Sequence, residues 1–232
     1  MRNSKSIHSY LNKQETIWGW IYFIFELLAL PTLLQIINLK TGSTLSSAEI
    51  NFTYFLINFI VVLLIFHDYL GRNLAQVRLH PAYFCQAVIL GLVAYFVSNA
   101  LMGYVIGLID PRFVNANDEA ISGMTSSNFF LMAVGTVVLV PPVEECIFRG
   151  LIFRELYGKS RWAAYLVSIA AFAAVHIIGY LRVYSPMELL LSFLQYLPAG
   201  LCLAWSYAKS DTIFAPILIH TAVNAIGISA MR

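Results

Sequence analysis

A succession of long apolar runs constrains this chain more than any other feature. Seven segments, roughly 17–38, 52–70, 83–108, 128–157, 162–181, 186–208 and 211–230, each approach the ~20 mostly apolar residues a helix needs to cross a bilayer. In hydrocarbon every backbone N–H and C=O must find a partner inside the protein, so such runs form helices; open strands leave groups bare at several kcal/mol each. No run alternates polar and apolar residues over a strand-crossing length, which disfavours a β-barrel. Composition agrees: the 232 residues are 59% hydrophobic and only 11% charged, against about 25% charged in soluble domains. The expected fold class is therefore all-α, a polytopic transmembrane helix bundle with about seven spans. A net charge of +2 gives no case for a nucleic-acid partner; the partner implied is the lipid bilayer.

The chain reads as one membrane domain in two parts: residues 1–127, a polar tail and the first three spans, and residues 128–230, which hold most of the buried polar chemistry. No small-residue cleavage site follows the first apolar run, so that run reads as a retained helix and not a signal peptide. Ten of the fourteen Lys and Arg residues fall in alternate connections on one side, which puts the N-terminus in the cytoplasm. Connections 39–51 and 109–127 then read as outer loops. Cys85, Cys146 and Cys202 are odd in number and lack metal-ligand spacing, which argues against a disulfide scaffold.

Ionisable groups inside a span cost ~2.5–3.5 kcal/mol each on insertion scales and are functional-site candidates by default. Span four carries Pro141-Pro142-Val143-Glu144-Glu145-Cys146-Ile147-Phe148-Arg149-Gly150 midway along its apolar run. The prolines predict a broken or kinked helix, with Glu144 and Glu145 near a positive dipole end. Glu145 and Arg149 are four residues apart on one face and can pair, while Glu144 is rotated by about 100° and stays available for chemistry. Phe172 and His176 share a face of span five, and His220 and Asn224 share one of span seven. At 1.5 Å per residue, Glu144, His176 and His220 lie about 20, 21 and 15 Å from the cytoplasmic ends of their spans, which allows one layer. A carboxylate, two imidazoles and an amide at one level can deprotonate a water and stabilise an oxyanion, the chemistry of peptide-bond hydrolysis. Glu26 in span one reads as an interfacial or internally paired acid, and His67-Asp68 as a boundary. Trp18, Trp20 and Trp162 read as interfacial belts.

Three strings, Glu-Glu-x-x-x-Arg at 144–149, Phe-x-x-x-His at 172–176 and His-x-x-x-Asn at 220–224, resemble the CAAX-processing and bacteriocin-processing (CPBP, or Abi) family of intramembrane endopeptidases. The resemblance covers about residues 128–230. It implies Glu144 as general base acting with His176, His220 and Asn224 as oxyanion stabilisers, Glu145 and Arg149 as an orienting pair, and Phe172 packed beside His176. It implies a peptide or protein substrate in the membrane and, with so short a chain, a bacterial plasma membrane and a role in bacteriocin processing or self-immunity. No metal is assigned; the metal-dependent alternative is Zn²⁺ held by Glu144, His176 and His220 with an open fourth position. The residues leave two other classes open: a non-catalytic membrane scaffold or regulator that binds a sensor kinase or a bacteriocin peptide, and a small transporter with a Glu144–His176 proton relay. Only span four looks broken, where a transporter has paired broken helices.

Overall fold

The computed structural model describes residues 10–42 and 44–231; most of the polar N-terminal tail, residues 1–9, lies outside the described residues, as do positions 43 and 232. Among the described residues ten helices follow one another: α1 (Lys13–Leu28), α2 (Leu30–Lys40), α3 (Ser47–Ile65), α4 (His67–Leu79), α5 (Pro81–Ile109), α6 (Ala116–Ser127), α7 (Phe129–Tyr157), α8 (Arg161–Ile178), α9 (Pro186–Ser210) and α10 (Phe214–Ala230). All seven apolar runs are helical, and the described residues form a polytopic helix bundle. Five helices, α3, α5, α7, α8 and α9, are each long and apolar enough to cross a membrane. The pair α1 and α2, bent by 49°, makes a sixth span when taken together, and α10, with 17 residues, is a shorter apolar helix. Pro31 lies just beyond that bend; it has no N–H to donate back into the last turn of α1, so the ladder cannot run through.

Two connections differ from expectation. The apolar run of span two stops at Ile65, and the following residues form the polar helix α4, with His67 and Asp68 exposed at the junction as expected. About two thirds of the expected outer loop 109–127 is helical. Asn115 caps α6 by accepting from the backbone N–H groups of Asn117 and Asp118, and Asp118 and Glu119 sit in its first turn, where acids suit the helix dipole.

The long helix α7 is the most buried of the five and forms the centre of the bundle. Helix α9 packs along α5 and α8, and α10 closes against α9, α5 and the middle of α7. Polar clamps fix α4 beneath them. Glu15 completes a capping box with Asn12 and also accepts from the Tyr69 N–H and the Arg72 guanidinium, both at 2.6 Å. Asn73 accepts from the Ile213 N–H at 2.7 Å, and its own carbonyl accepts from the Thr212 hydroxyl at 3.0 Å. These contacts tie the first helices to the turn that launches α10, and so fix the level at which its polar face meets α7.

Candidate active site

The prolines of α7 do not break it. The helix continues by widening into two π-helical stretches, Gly135–Leu139 and Cys146–Phe153, on either side of the acid pair. Single-turn π insertions re-aim side chains without ending a helix. In the first stretch the Val140 N–H reaches five residues back to Gly135 O. The next amide in that register belongs to Pro141, which has no N–H, so Thr136 O has no partner within the helix. Asn224 on α10 fills that gap: its Nδ2 donates to Thr136 O at 2.8 Å. The expected positive helix end at Glu144 is therefore absent, because the backbone there is continuous. In the second stretch the Phe148 carbonyl accepts from the Ser168 hydroxyl at 2.8 Å, which ties α8 to α7.

Glu145 and Arg149 are both fully buried. Glu145 Oε1 accepts from Arg149 Nη1 at 3.1 Å and contacts His220 Nδ1 at 2.9 Å. Arg149 Nη2 donates to Gly200 O at 3.2 Å, and its guanidinium lies 4.5 Å from the centre of the Phe172 ring. A glycine is needed on α9 at that point. A Cβ on Gly200 would meet Ile169 Cγ2 at 3.0 Å and Ile169 Cα at 3.3 Å, so any side chain would push the acceptor carbonyl away from α8. Phe172 thus packs against both Arg149 and His176, its ring centre 4.7 Å from the imidazole.

Glu144 turns away from this pair, as its rotation on the helix requires. Its side chain is 22% exposed, and Oε2 lies 3.9 Å from His176 Nε2 and 3.9 Å from His220 Nε2. Oε2 has no hydrogen-bond partner among the described residues. His176 Nδ1 is 2.7 Å from Phe172 O, a group that only accepts, so the ring proton is assigned to Nδ1 and a neutral His176 presents a bare Nε2 to Glu144. The Tyr196 ring stacks on His176 at 4.1 Å between centres. Glu144, His176, His220 and Asn224 all line one cavity of about 410 Å³. Glu144 lies within 4 Å of both imidazoles; Asn224 shares the cavity but already spends one amide hydrogen on Thr136 O.

Sequence reasoning missed three groups at this site. Tyr196 lies in a span without a recognisable motif. Asn117 and Asp118 lie in α6, which read as a loop, and they bond the Tyr196 hydroxyl: Asn117 Nδ2 donates to it at 2.9 Å, and it donates to Asp118 Oδ1 at 3.3 Å. Burial pushes the Asp118 carboxyl up from its ordinary value, opposed by the Tyr196 hydroxyl and the nearby His176. The third is Glu26. It is buried beside Glu144, and its Oε2 has no hydrogen-bond partner among the described residues. The only signal for these groups was their polarity inside or beside apolar runs.

Zn²⁺ asks for a tighter donor set than the one present. Bonds of about 2.0–2.2 Å at a tetrahedral angle hold nitrogen and oxygen ligands roughly 3.4 Å apart. The two imidazole-to-carboxylate distances here are 3.9 Å, and among the described residues no three His, Cys, Asp or Glu side chains are grouped as a metal site. The residues as arranged do not fit that ion.

An acid flanked by two imidazoles thus lies inside an apolar helix bundle. Residues 126–226 match the family of type II CAAX prenyl endopeptidases, Rce1-like. The resemblance carried by the three motifs therefore holds over that stretch. The chain is 33% identical over 95 residues to UPF0177 protein YxdF of Lactococcus lactis subsp. lactis (strain IL1403), covering 41% of this chain and 47% of that protein. It is 32% identical over 96 residues to "Putative membrane peptidase YdiL" of Bacillus subtilis (strain 168), covering 40% of this chain and 34% of that protein. The alignments thus span less than half the length of these relatives. No solved structure matches significantly.

Proposed function

We propose that this chain is an intramembrane endopeptidase that hydrolyses peptide bonds of membrane-associated or lipidated substrates. One observation carries the reading: Glu144 Oε2 stands 3.9 Å from two imidazole nitrogens at the wall of a cavity inside a membrane helix bundle. Glu144 Oε2 and the bare His176 Nε2 are both acceptors. A water about 2.8 Å from each subtends roughly 90° between them, close to the angle between its own O–H bonds. Both of its hydrogens are then held, and a lone pair faces the cavity.

As the water attacks a peptide carbonyl carbon, Glu144 takes one proton as general base, with His176 holding the other O–H. The carbonyl oxygen becomes an oxyanion. His220 serves as donor to it when both ring nitrogens are protonated: Nδ1–H to Glu145 and Nε2–H to the oxyanion, with Glu145 as the counter-charge. The second amide hydrogen of Asn224 is the other donor. Collapse breaks the C–N bond, and the proton held by Glu144 passes to the leaving amine. The products are a new carboxylate and a new amine, and the base is restored. Glu145, Arg149 and Phe172 position His220 and His176 without touching substrate. The excess of Lys and Arg in alternate connections supports a cytoplasmic N-terminus; in that orientation the cavity, which Asn115, Asn117, Asp118 and Met231 line, faces the outer side, and the bacterial relatives support a bacterial plasma membrane. Bacteriocin processing or self-immunity is the role this reading favours.

The test is purified protein in lipid vesicles, offered prenylated C-terminal peptides, bacteriocin leader peptides and transmembrane peptides, with products read by mass spectrometry. The expected result is internal cleavage in at least one set, with one water added across the bond. Absence of cleavage in all three sets contradicts the peptidase reading and favours a non-catalytic scaffold.

A further inference from the structure

A second chamber of about 210 Å³ adjoins the main cavity, and Glu144 and His176 line both. One water needs only about 10–15 Å³ of such space, so the chamber is built for something larger. Its walls include the rings of Phe23, Tyr54, Phe55 and Phe148. Its polar edge carries two carboxyl groups, Glu26 and Glu144. Among the described residues no lysine or arginine lines it, and His176 is its only basic side chain.

Glu26 is the anomaly. It is 7% exposed, and its Oε2 is closed off from solvent without a hydrogen-bond partner among the described residues. The nearby Tyr22 hydroxyl donates to Asn58 Oδ1 at 2.6 Å. Glu145, a fully buried acid of the bundle, is answered by Arg149. A membrane-embedded carboxyl without its own cation costs folding free energy, and retaining one at an active-site wall needs a use. Aromatic faces around a carboxylate are the chemistry that holds an ammonium or guanidinium, by ion pairing at one end and cation–π attraction at the sides.

We propose that this chamber is a substrate subsite for a cationic group, the side chain of a Lys or Arg flanking the scissile bond, with Glu26 as its counter-charge. The inference rests on the peptidase reading. It deepens that reading by naming what the substrate presents beside the reacting carbonyl. Because Glu144 and His176 border both chambers, a residue seated here is adjacent to the bond being cut. A free α-amino group at the same position offers the same chemistry, and the experiment separates the two sources.

The experiment compares kcat/KM for pairs of acetylated peptides that differ only in Lys against norleucine at each residue flanking the cleaved bond. Taking the ratio within one preparation cancels any loss of folded enzyme. Wild type is expected to favour Lys at one of the two positions, and Glu26→Gln is expected to lower that ratio by about 10–100-fold, the worth of one charged hydrogen bond. Glu26→Lys is expected to invert the preference toward Glu; should that variant not fold, the Glu26→Gln ratio decides alone. A third pair, with free and acetylated N-termini, assigns the cation to an α-amine if only that pair responds to Glu26→Gln. Cleavage by wild type with equal rates across all three pairs would overturn the subsite while leaving the peptidase reading intact. A preference unchanged in Glu26→Gln would also overturn it. No cleavage by wild type removes both.

Discussion

Replacing Arg149 with methionine tests the architecture of the site most severely. The guanidinium is fully buried, pairs with Glu145 at 3.1 Å, donates to Gly200 O at 3.2 Å and lies over the Phe172 ring at 4.5 Å. Methionine keeps much of the volume and removes the charge. Glu145 is then left in the core with His220 as its remaining charge partner. Breaking a buried pair from one side typically costs about 3–5 kcal/mol, because a charge stays behind. The lost bond to Gly200 O, worth ~1.5–3 kcal/mol alone, overlaps with that figure since both report the same missing guanidinium. The expected loss is therefore about 4 kcal/mol. At roughly 2–4 °C per kcal/mol for a chain of this length, the melting midpoint in detergent should fall by about 8–16 °C. The assay is tryptophan fluorescence on heating, beside Glu145→Gln and the double variant. The double variant should recover a substantial part of the loss, since neither charge then lacks its partner. An unchanged midpoint in Arg149→Met, or strictly additive losses in the double variant, would refute the reasoning.

Other outcomes follow from the same geometry. His220→Ala should lower kcat by about 10²–10³-fold, the cost of removing one oxyanion donor. Asn224→Ala should lower kcat and also the melting midpoint, because it strands Thr136 O; unchanged values for both would remove Asn224 from the account. Treatment with a strong chelator should leave cleavage unchanged, and loss of activity restored by added Zn²⁺ would contradict the metal-free water activation proposed here. Burial raises the Asp118 carboxyl, so the folded chain holds that proton more tightly than the unfolded chain. Ionisation then costs stability: the wild-type midpoint should drop as pH rises from the ordinary carboxylate range through the raised native value. Asp118→Asn should lack that part of the drop and melt higher than wild type at about pH 7.5 but not at about pH 4; parallel curves would contradict the assignment.

The helical class and the seven apolar runs were legible because hydrocarbon leaves the backbone no other solution, and run length reports that constraint directly. The pairing of Glu145 with Arg149 was legible from spacing alone, since both lie on one helix four residues apart. The meeting of Glu144, His176 and His220 at 3.9 Å followed from depth counting, which works because rigid rods of known rise share one bilayer. The sequence misled at Pro141 and Pro142: proline reads as a break, yet a π-helical turn absorbs the missing N–H and Asn224 takes the freed carbonyl. That rescue depends on a residue 88 positions away, which no local reading contains. Helix α6 was hidden for a similar reason. Its composition is that of a loop, and what orders it is a cap by Asn115 and bonds from Asn117 and Asp118 to Tyr196. Glu26 was visible as a charge in a span, but its direction was not, because α1 could have turned that face to lipid headgroups as easily as to α7.

The most direct measurement is the rate at which Glu144→Gln cleaves a peptide that wild type cleaves, taken with its melting midpoint. Glutamine keeps the shape and cannot accept the water's proton. The account predicts a loss of about 10²–10⁴-fold in kcat with a midpoint close to wild type. Cleavage by a folded Glu144→Gln at the wild-type rate would contradict it.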